Sequence, residues 1–427
     1  MAVNENINYC NIQRAVPTAW SSSILQDPAS MIRHLFIQEL LLTVFVLVCF
    51  VLIRTIYTVV KRRYARITVF VIGGGPIGLT AMFIAAKCVR VARLVLYEEL
   101  SRSSLINRLN QLAFDMSSIN FLKDLGIDFH NMEGCWQQNS FSTRAGIFQE
   151  YLLNLISKMD VPIEMKFQTK FSRSHVKEAE ETVGRIVVIV CDGAQGSCGR
   201  LLGISDECIQ HSCNTYGAIA SLERNCERQE FPMAEKRIHQ LIFDLTSYGV
   251  DSLDETYTPG FSLKLFGSNR HRYMTLVIPK CESKCVKALR VILDRSMMRN
   301  IFTKCFNTFR FENETKLAES EALKNMKFSP RLFEIKMFQR QENVAYFSDP
   351  DIFILAEGDA AMCYNFSTGM DVNIGLKNLV TLPNFLEMVS WAETENHITS
   401  VLTYKTRHTE KVCRNFVRCG LREYMFS

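Results

Sequence analysis

The chain reads ITVFVIGGGPIGLTAMF from residue 67 to residue 83. Its first six residues form an uninterrupted apolar, β-prone run, which is typical of a parallel strand buried on both faces. Three consecutive glycines follow, and the residues after them are apolar and helix-forming. The stretch therefore predicts a strand, a tight turn and a helix, which begin a βαβ unit of an α/β fold.

The glycines occupy the GxGxxG positions, namely Gly73, Gly75 and Gly78. The first permits a sharp turn, the second lets a pyrophosphate approach the backbone, and the third lets the helix pack closely on the strand. Pro76 suits the first helical turn, where no N–H donor is needed. The free amides at the start of this helix point toward a phosphate.

An acidic residue follows the next predicted strand. That strand covers residues 94–97, and Glu98 comes directly after it. A carboxylate at this place accepts hydrogen bonds from the ribose hydroxyls of an adenosine, whereas an arginine would indicate a 2′-phosphate. Strand, glycines, helix, strand and acid together predict a dinucleotide-binding site.

Two later segments distinguish FAD from NAD. Residues 184–203 contain a strand that ends near Asp192-Gly193, and residues 351–379 contain a strand that is followed by Gly358-Asp359. With the glycine turn, these motifs resemble the FAD-dependent aromatic-hydroxylase-type (group A) flavoprotein monooxygenases. A plain NAD dehydrogenase is disfavoured, because it does not explain the Gly-Asp motif so far along the chain.

The resemblance implies a role for each motif. In this group the GxGxxG turn binds the ADP half of FAD, and the Asp-Gly motif stands beside both FAD and NADPH. The Gly-Asp motif binds the ribityl chain and phosphate, and the loop after it lies near the isoalloxazine ring. The cofactor-binding residues that follow are Gly73, Gly75, Pro76, Ile77, Gly78, Glu98, Arg108, Asp192, Gly193, Gly358, Asp359, Gly369 and Asn373. No catalytic side chain is predicted, since the flavin itself carries the chemistry.

Within the group, the chain looks most like the MICAL monooxygenase domain, and kynurenine 3-monooxygenase is also similar. Residues 105–129 resemble the MICAL segment in which an arginine touches the flavin, and Arg108 stands at the matching position. The likeness covers roughly residues 67–400. It implies that the substrate is a small molecule or a protein, with a protein methionine as one candidate.

Two positions depart from the pattern of the group. Met362 stands where a histidine usually follows Gly-Asp-Ala-Ala, and Asp371 replaces the middle glycine of the loop over 369–375. A carboxylate at the flavin edge would oppose negative charge on reduced flavin; the alternative is that Asp371 points to solvent. Phe366 is either an aromatic wall of the flavin site or a core residue.

An apolar segment precedes this unit. Leu40 to Val60 is interrupted only by Arg54, and a bilayer requires roughly 20 helical residues. The basic residues Lys61, Arg62 and Arg63 follow it, so the positive-inside rule places the rest of the chain in the cytoplasm. Residues 35–63 are therefore predicted to be a single-pass membrane anchor, and residues 1–34 a polar leader.

Composition restricts the remaining function classes. The chain has 427 residues, 48% of them hydrophobic, which is typical of a globular protein of two joined domains. A net charge of +5 spread along the chain favours a mixed solvated surface over nucleic-acid binding. The 15 cysteines have no accompanying histidines at zinc spacing, so no metal site is predicted.

The predicted fold is thus α/β: a discontinuous Rossmann-like FAD-binding domain (GR2-type), a β-sheet and helix substrate domain, and a transmembrane helix. FAD-binding parts over 64–205 and 350–400 flank a substrate domain over 206–349, and a basic tail covers 401–427. The predicted function is a membrane-anchored monooxygenase that uses FAD and NAD(P)H, NADPH above all, to oxygenate a substrate or release peroxide. The alternative is a catalytically impaired flavoprotein that serves as a membrane-tethered interaction module.

Overall fold

The computed structural model describes residues 28–63, 67–108, 110–137, 139–182, 184–211, 215–224, 235–241, 260–267, 271–291, 295–310, 314–335, 337–363 and 371–425. One compact unit ends at Val60, and the second begins at Lys61.

Helix α1 (Pro28–Arg63) forms the described part of the first unit and continues past its end to Arg63. Its segment Phe36–Tyr57 has 22 residues with a mean hydropathy of 2.7 and is not buried within the protein. By length and composition alone it is a candidate for crossing a membrane. The predicted leader over 1–34 is too long, because the helix begins at Pro28, a residue suited to a first helical turn. Residues 1–27 lie outside the described residues.

A six-stranded sheet forms the centre of the second unit. In spatial order its strands are β16 (Val344–Phe347), β17 (Ile352–Ala356), β7 (Arg185–Val190), β1 (Ile67–Ile72), β2 (Val91–Tyr97) and β6 (Ile163–Lys166). All pairings are parallel except that of β16 with β17. Every residue of β1 is buried, as its continuous apolar run predicted.

Helices cover both faces of this sheet. They are α2 (Pro76–Lys87), α3 (Arg102–Ile106), α4 (Met116–Asp124), α5 (Ala145–Ile156), α6 (Arg173–Glu180), α7 (Cys198–Leu201), α11 (Asp371–Leu379), α12 (Leu382–Trp391) and α13 (Glu395–Met425). On one face, α2 and α5 pack with α11 and α12 in a single apolar core. On the other face, Phe70 and Tyr97 pack against Phe171 and Ala179 of α6.

A second, antiparallel sheet has its own apolar core. In spatial order its strands are β10 (Glu235–Leu241), β11 (Phe261–Gly267), β12 (His271–Pro279), β9 (Thr215–Glu223) and β13 (Met326–Phe328), and β14 (Phe333–Glu334) also pairs with β9. Its apolar face packs on α8 (Lys284–Val291), α9 (Arg295–Phe309) and α10 (Glu319–Asn325).

The described part of the second unit also contains two small three-stranded sheets. The first consists of β3 (Gln111–Asp115), β5 (Ser140–Arg144) and β4 (Cys135–Gln137), in that order. The second consists of β18 (Met362–Cys363), β15 (Met337–Arg340) and β8 (Cys208–His211).

The α/β class and the separate β-sheet and helix region agree with the sequence analysis, but two predicted boundaries do not. Strand β16 lies inside the predicted substrate domain over 206–349, yet it pairs with β17 at the edge of the first sheet. The predicted break between residues 400 and 401 falls inside α13, which packs on α11 and α12. Strand β16 and helix α13 are held in place by packing against elements that are distant in the sequence. No local feature of the sequence therefore marks the true domain boundary at either place.

Candidate functional site

A cavity of about 600 Å³ lies at the carboxyl ends of β1, β2, β7 and β17. In open parallel sheets this edge is where ligands bind, because the turns after successive strands converge there. The predicted site residues that line the cavity are Gly73, Gly75, Pro76, Ile77, Gly78, Glu98, Arg108, Asp192, Gly193, Gly358 and Asp359.

The three glycines of the first turn are required for different reasons. Gly73 has φ +99°, and a Cβ there would lie 2.3 Å from the Cys191 carbonyl oxygen. A Cβ on Gly78 would lie 2.0 Å from the Gly73 carbonyl oxygen, so no side chain fits between turn and helix. A Cβ on Gly75 would meet no atom within 4 Å. The second glycine therefore leaves open space at the start of α2, where the cavity reaches the backbone.

Glu98 is buried after β2, and its carboxylate is held by the backbone. One oxygen accepts a hydrogen bond from the Gly74 amide, and the other accepts one from the Leu100 amide at 2.8 Å. A carboxylate can accept about four hydrogen bonds, so capacity remains for ligand hydroxyls. This geometry is compatible with the predicted ribose contact, because two backbone amides already orient the Glu98 carboxylate.

Gln149 is a buried residue of α5 that sequence reasoning did not identify. Its side-chain amide donates a hydrogen bond of 2.8 Å to the Gly74 carbonyl oxygen. The contact fixes the glycine turn from the helix side. No pattern in the sequence marks a single glutamine in an apolar helix as a partner of a turn so far away.

The turn after β7 is organised by Asp192. Its Oδ2 accepts a hydrogen bond of 2.9 Å from the Cys198 amide, and a Cβ on Gly196 would lie 1.9 Å from its carboxyl carbon. Gly193 has φ +85°, and a Cβ there would meet no atom within 4 Å. Asp192 thus shapes the loop, and Gly193 leaves the backbone open toward the cavity.

The turn after β17 contains a buried ion pair. Glu357 and Lys405 of α13 are both almost completely inaccessible and form a salt bridge. Asn378 of α11 donates a hydrogen bond of 2.6 Å to the second Glu357 oxygen, and Thr409 donates one of 2.9 Å to Asn378. Glu357 also lines the cavity, so α13 is tied directly to the site.

Gly358 and Asp359 follow this acid. Gly358 has φ +61°, and a Cβ there would come within 3.1 Å of the Ile77 side chain. Asp359 lines the cavity and is exposed toward it. The Gly-Asp segment and the glycine turn are therefore in contact, although they are far apart in the sequence.

Asp371 is the first residue of α11 and lines the cavity. Burial raises the pKa of the Tyr273 hydroxyl, and the negative charge of Asp371 raises it further. Tyr273 belongs to β12 of the second sheet and also lines the cavity. Asp371 is thus a half-buried residue of the cavity lining, close enough to Tyr273 for its charge to act on that hydroxyl.

Asn373 is buried, and its side chain is engaged by the neighbouring strand. Its Oδ1 accepts a hydrogen bond of 3.0 Å from the Asp115 amide, and its Nδ2 donates one of 2.8 Å to the Ala113 carbonyl oxygen. It positions α11 against β3. Met362 is buried beside Cys413 of α13. Gly369 and Phe366 lie outside the described residues.

The charge of the cavity lining is predominantly acidic. Among the described residues it has six acidic side chains, namely Glu98, Glu99, Asp192, Glu357, Asp359 and Asp371, and two basic ones, Arg108 and Lys170. A bound pyrophosphate would therefore depend chiefly on the backbone amides at the start of α2. The described part of the chain contains no cluster of three or more potential metal ligands.

No protein-family model and no curated protein matches the chain, whereas solved structures do. The chain is similar to the peptidyl tryptophan dihydroxylase QhpG, essential for tryptophylquinone cofactor biogenesis. The TM-score is 0.52 and the identity 12%, over 84% of this chain and 74% of that chain. It is also similar to a mutant of PqsL from P. aeruginosa, with a TM-score of 0.50 and 14% identity over 81% and 93% of the two chains. Another PqsL structure, described as a probable FAD-dependent monooxygenase, gives a TM-score of 0.49. The two structures with a TM-score of 0.50 or more show that the fold is shared, and at these identities the likeness extends no further than the fold.

Proposed function

We propose that the chain is an FAD-dependent monooxygenase. The observation that carries the proposal is the convergence of three distant motifs on one cavity: the glycine turn, the Asp192-Gly193 loop and the Gly358-Asp359 segment. Open space above Gly75 and Gly193 provides a cradle that a side chain would fill. The fold shared with QhpG and PqsL adds support.

Each part of the site has a distinct binding task in this proposal. The amides at the start of α2 hold the pyrophosphate, and Glu98 accepts the ribose hydroxyls. By the group A resemblance, Gly358 and Asp359 would hold the ribityl chain and its phosphate, and Arg108 would contact the flavin. When bound, FAD would supply the redox and oxygen chemistry, and the protein supplies orientation and electrostatics.

NADPH is the proposed electron donor, and α1 is the proposed membrane anchor with the second unit on the cytoplasmic side. The proposal of NADPH rests on the group A resemblance. The anchor rests on the apolar span Phe36–Tyr57 and on the basic residues that follow it.

The proposed substrate is either a small molecule or a protein side chain. The resemblance to the MICAL domain favours a protein methionine. A protein with this fold is named a peptidyl tryptophan dihydroxylase, so the fold is compatible with a polypeptide substrate. The release of peroxide without substrate is a second expected outcome of the same chemistry.

The test uses the full chain purified in detergent. We expect a visible flavin absorption spectrum that NADPH bleaches and that returns in air, with formation of peroxide. NADH in place of NADPH measures the donor preference. A folded, colourless chain that does not take up added FAD would overturn the proposal, because the glycine turn would then hold some other ligand.

A catalytically impaired flavoprotein is a second candidate, and the position of Asp371 favours it. Its carboxylate lines the cavity together with Asp359 and influences Tyr273. A carboxylate near the flavin opposes negative charge on the reduced ring and disfavours reduction. In that case the folded domain would serve as a membrane-tethered interaction module.

Replacement of Asp371 separates the two candidates. If its charge disables the site, Asp371→Asn and Asp371→Gly should each raise the rate of NADPH oxidation by about tenfold or more, which corresponds to about 1.4 kcal/mol. Because Asn retains the size of the side chain, equal gains identify charge as the cause. An active wild-type chain whose rate falls in both variants would contradict the impaired-flavoprotein candidate.

A further inference from the structure

A second cavity of about 600 Å³ adjoins the first one. Arg108, Asn110 and Tyr273 line both cavities, so the two cavities are neighbours. One wall is formed by α3 and the residues after it, and the other by strands β9, β12 and β13 of the antiparallel sheet.

Three polar residues form a row across this sheet. Lys327 of β13 pairs with Ser221 of β9, which pairs with Tyr273 of β12. Residues directly opposite in an antiparallel sheet place their side chains on the same face. All three line the second cavity. With strands about 4.8 Å apart, the row extends about 10 Å from the exposed lysine to the buried tyrosine.

The charge of the second cavity is the opposite of that of the first. Among the described residues, its lining has two cations, Lys327 and Arg108, and no carboxylate. Serine hydroxyls and asparagine amides supply further polar groups, from Ser103, Ser104, Asn107, Asn110, Ser221 and Ser329. Cations and hydroxyls without acids are the groups that bind carboxylate or phosphate.

From this arrangement we propose that the second cavity binds an anionic small molecule, with its carboxylate or phosphate at Lys327 and its other end at Tyr273. That this molecule takes part in the reaction rests on the proposed function. That the second cavity binds it does not. Two sources have this chemistry: a carboxylate-bearing substrate, or the phosphates of the nicotinamide dinucleotide. The two cations of this cavity favour an anionic small molecule over a protein methionine, because the methionine side chain carries no charge.

The test measures binding of two matched pairs of probes to the full chain in detergent by calorimetry. Cinnamate and cinnamamide have nearly the same shape and differ in charge, and NADP⁺ and NAD⁺ differ in one phosphate. We expect the anion of at least one pair to bind about tenfold or more tightly than its partner. Preference for cinnamate assigns the site to a carboxylate substrate, and preference for NADP⁺ assigns it to the dinucleotide.

Three variants locate the binding. Lys327→Gln should weaken binding of the preferred anion by about tenfold, and Lys327→Arg should retain it because it keeps the cation. Lys324→Gln makes the same charge change at an exposed residue of α10 that does not line the cavity, and it should leave binding unchanged. Thermal melting of each variant checks that the fold is intact.

Other results would overturn the proposal. These are absence of binding by cinnamate and NADP⁺ at millimolar concentration, equal binding within both probe pairs, or equal losses in Lys327→Gln and Lys324→Gln. The flavin spectrum of each sample is recorded separately. If a chain that takes up no flavin still bound the anion, the proposed anion site would stand and the proposed monooxygenase function would be wrong. The failure of one proposal can therefore be distinguished from the failure of the other.

Discussion

Gly75 and Gly78 belong to the same turn, but the structure requires a glycine at only one of these two positions. Gly78 is required by packing, because the Gly73 carbonyl oxygen occupies the place of its Cβ. Gly75 is not required by packing, since its Cβ would meet open space and its φ of −64° is available to any residue. The folded chain therefore has a structural need for the third glycine, whereas the second leaves open space in which the proposed cofactor would lie.

Alanine at these two glycines should separate stability from cofactor affinity. Gly78→Ala should lower the free energy of unfolding by about 1–3 kcal/mol, because two backbone segments must move apart. Gly75→Ala should cost about 1 kcal/mol or less, as alanine is a poorer N-cap than glycine. FAD affinity should nevertheless fall by about tenfold in Gly75→Ala, or about 1.4 kcal/mol, since a methyl group blocks the approach of the pyrophosphate.

Urea denaturation and flavin titration of both variants measure these effects. If Gly75→Ala bound FAD with wild-type affinity, the pyrophosphate would not lie against this residue. The glycine turn would then need a different assignment, although its role in the fold would stand.

Among the helices and strands, α13 has a role that the sequence did not indicate, namely a direct contact with a residue of the cavity lining. It includes most of the predicted basic tail over 401–427, yet it carries Lys405, which forms a buried ion pair with Glu357 at the edge of the cavity. Lysine is almost never fully buried without a partner, so in the sequence it indicates a solvated face. Lys405 can be buried because Glu357, which follows β17, neutralises its charge.

Removing the charge of Lys405 should destabilise the second unit strongly. Lys405→Met leaves Glu357 buried without its cation, which typically costs about 3–5 kcal/mol. Lys411→Met is the matched control, because Lys411 is exposed on the same helix and should change stability by less than about 0.5 kcal/mol. The measurement is the free energy of unfolding in urea, together with flavin content.

A double variant tests the interpretation of this ion pair. Lys405→Met combined with Glu357→Gln removes the unpaired charge, so it should recover part of the stability lost in Lys405→Met. Additive losses would show that Lys405 contributes through packing of its aliphatic stem, with no dependence on the carboxylate.

At the scale of the whole molecule, the chain combines the apolar span Phe36–Tyr57, none of which is buried, with a second unit that has its own apolar cores. A continuous exposed apolar surface of this length on a soluble protein would favour aggregation. A lipid bilayer provides the environment in which such a surface is stable.

Membrane attachment should depend on α1 alone. The full chain should remain with membranes after alkaline extraction, and a chain that begins at residue 64 should be released into the soluble fraction. In sealed vesicles, external protease should digest a C-terminal tag, because the second unit is expected on the cytoplasmic side. A full chain extracted by alkali, or a tag that is protected until detergent is added, would contradict the anchor or its orientation, respectively.

Local patterns were sufficient to predict the elements around the first turn. The apolar run before Gly73 and the glycine spacing predicted β1 and α2, and the acid after the next strand was placed at the cavity. The α/β class and the long apolar helix also follow from local patterns, whereas the convergence of the three motifs on one cavity was expected only from the resemblance to the group A monooxygenases. Each local pattern depends on side-chain periodicity or on residues whose backbone requirement is intrinsic, so no distant contact is needed to recognise it.

Distant contacts determined the rest. Gln149 fixes the glycine turn, Lys405 pairs with Glu357, and Asn373 binds β3 through groups that no local pattern relates. The same holds for the row of Lys327, Ser221 and Tyr273, since strand register alone brings together residues from three separate segments. Buried polar partners and cavity charge arise only when the chain has folded, because their free energies depend on which groups share an environment shielded from water.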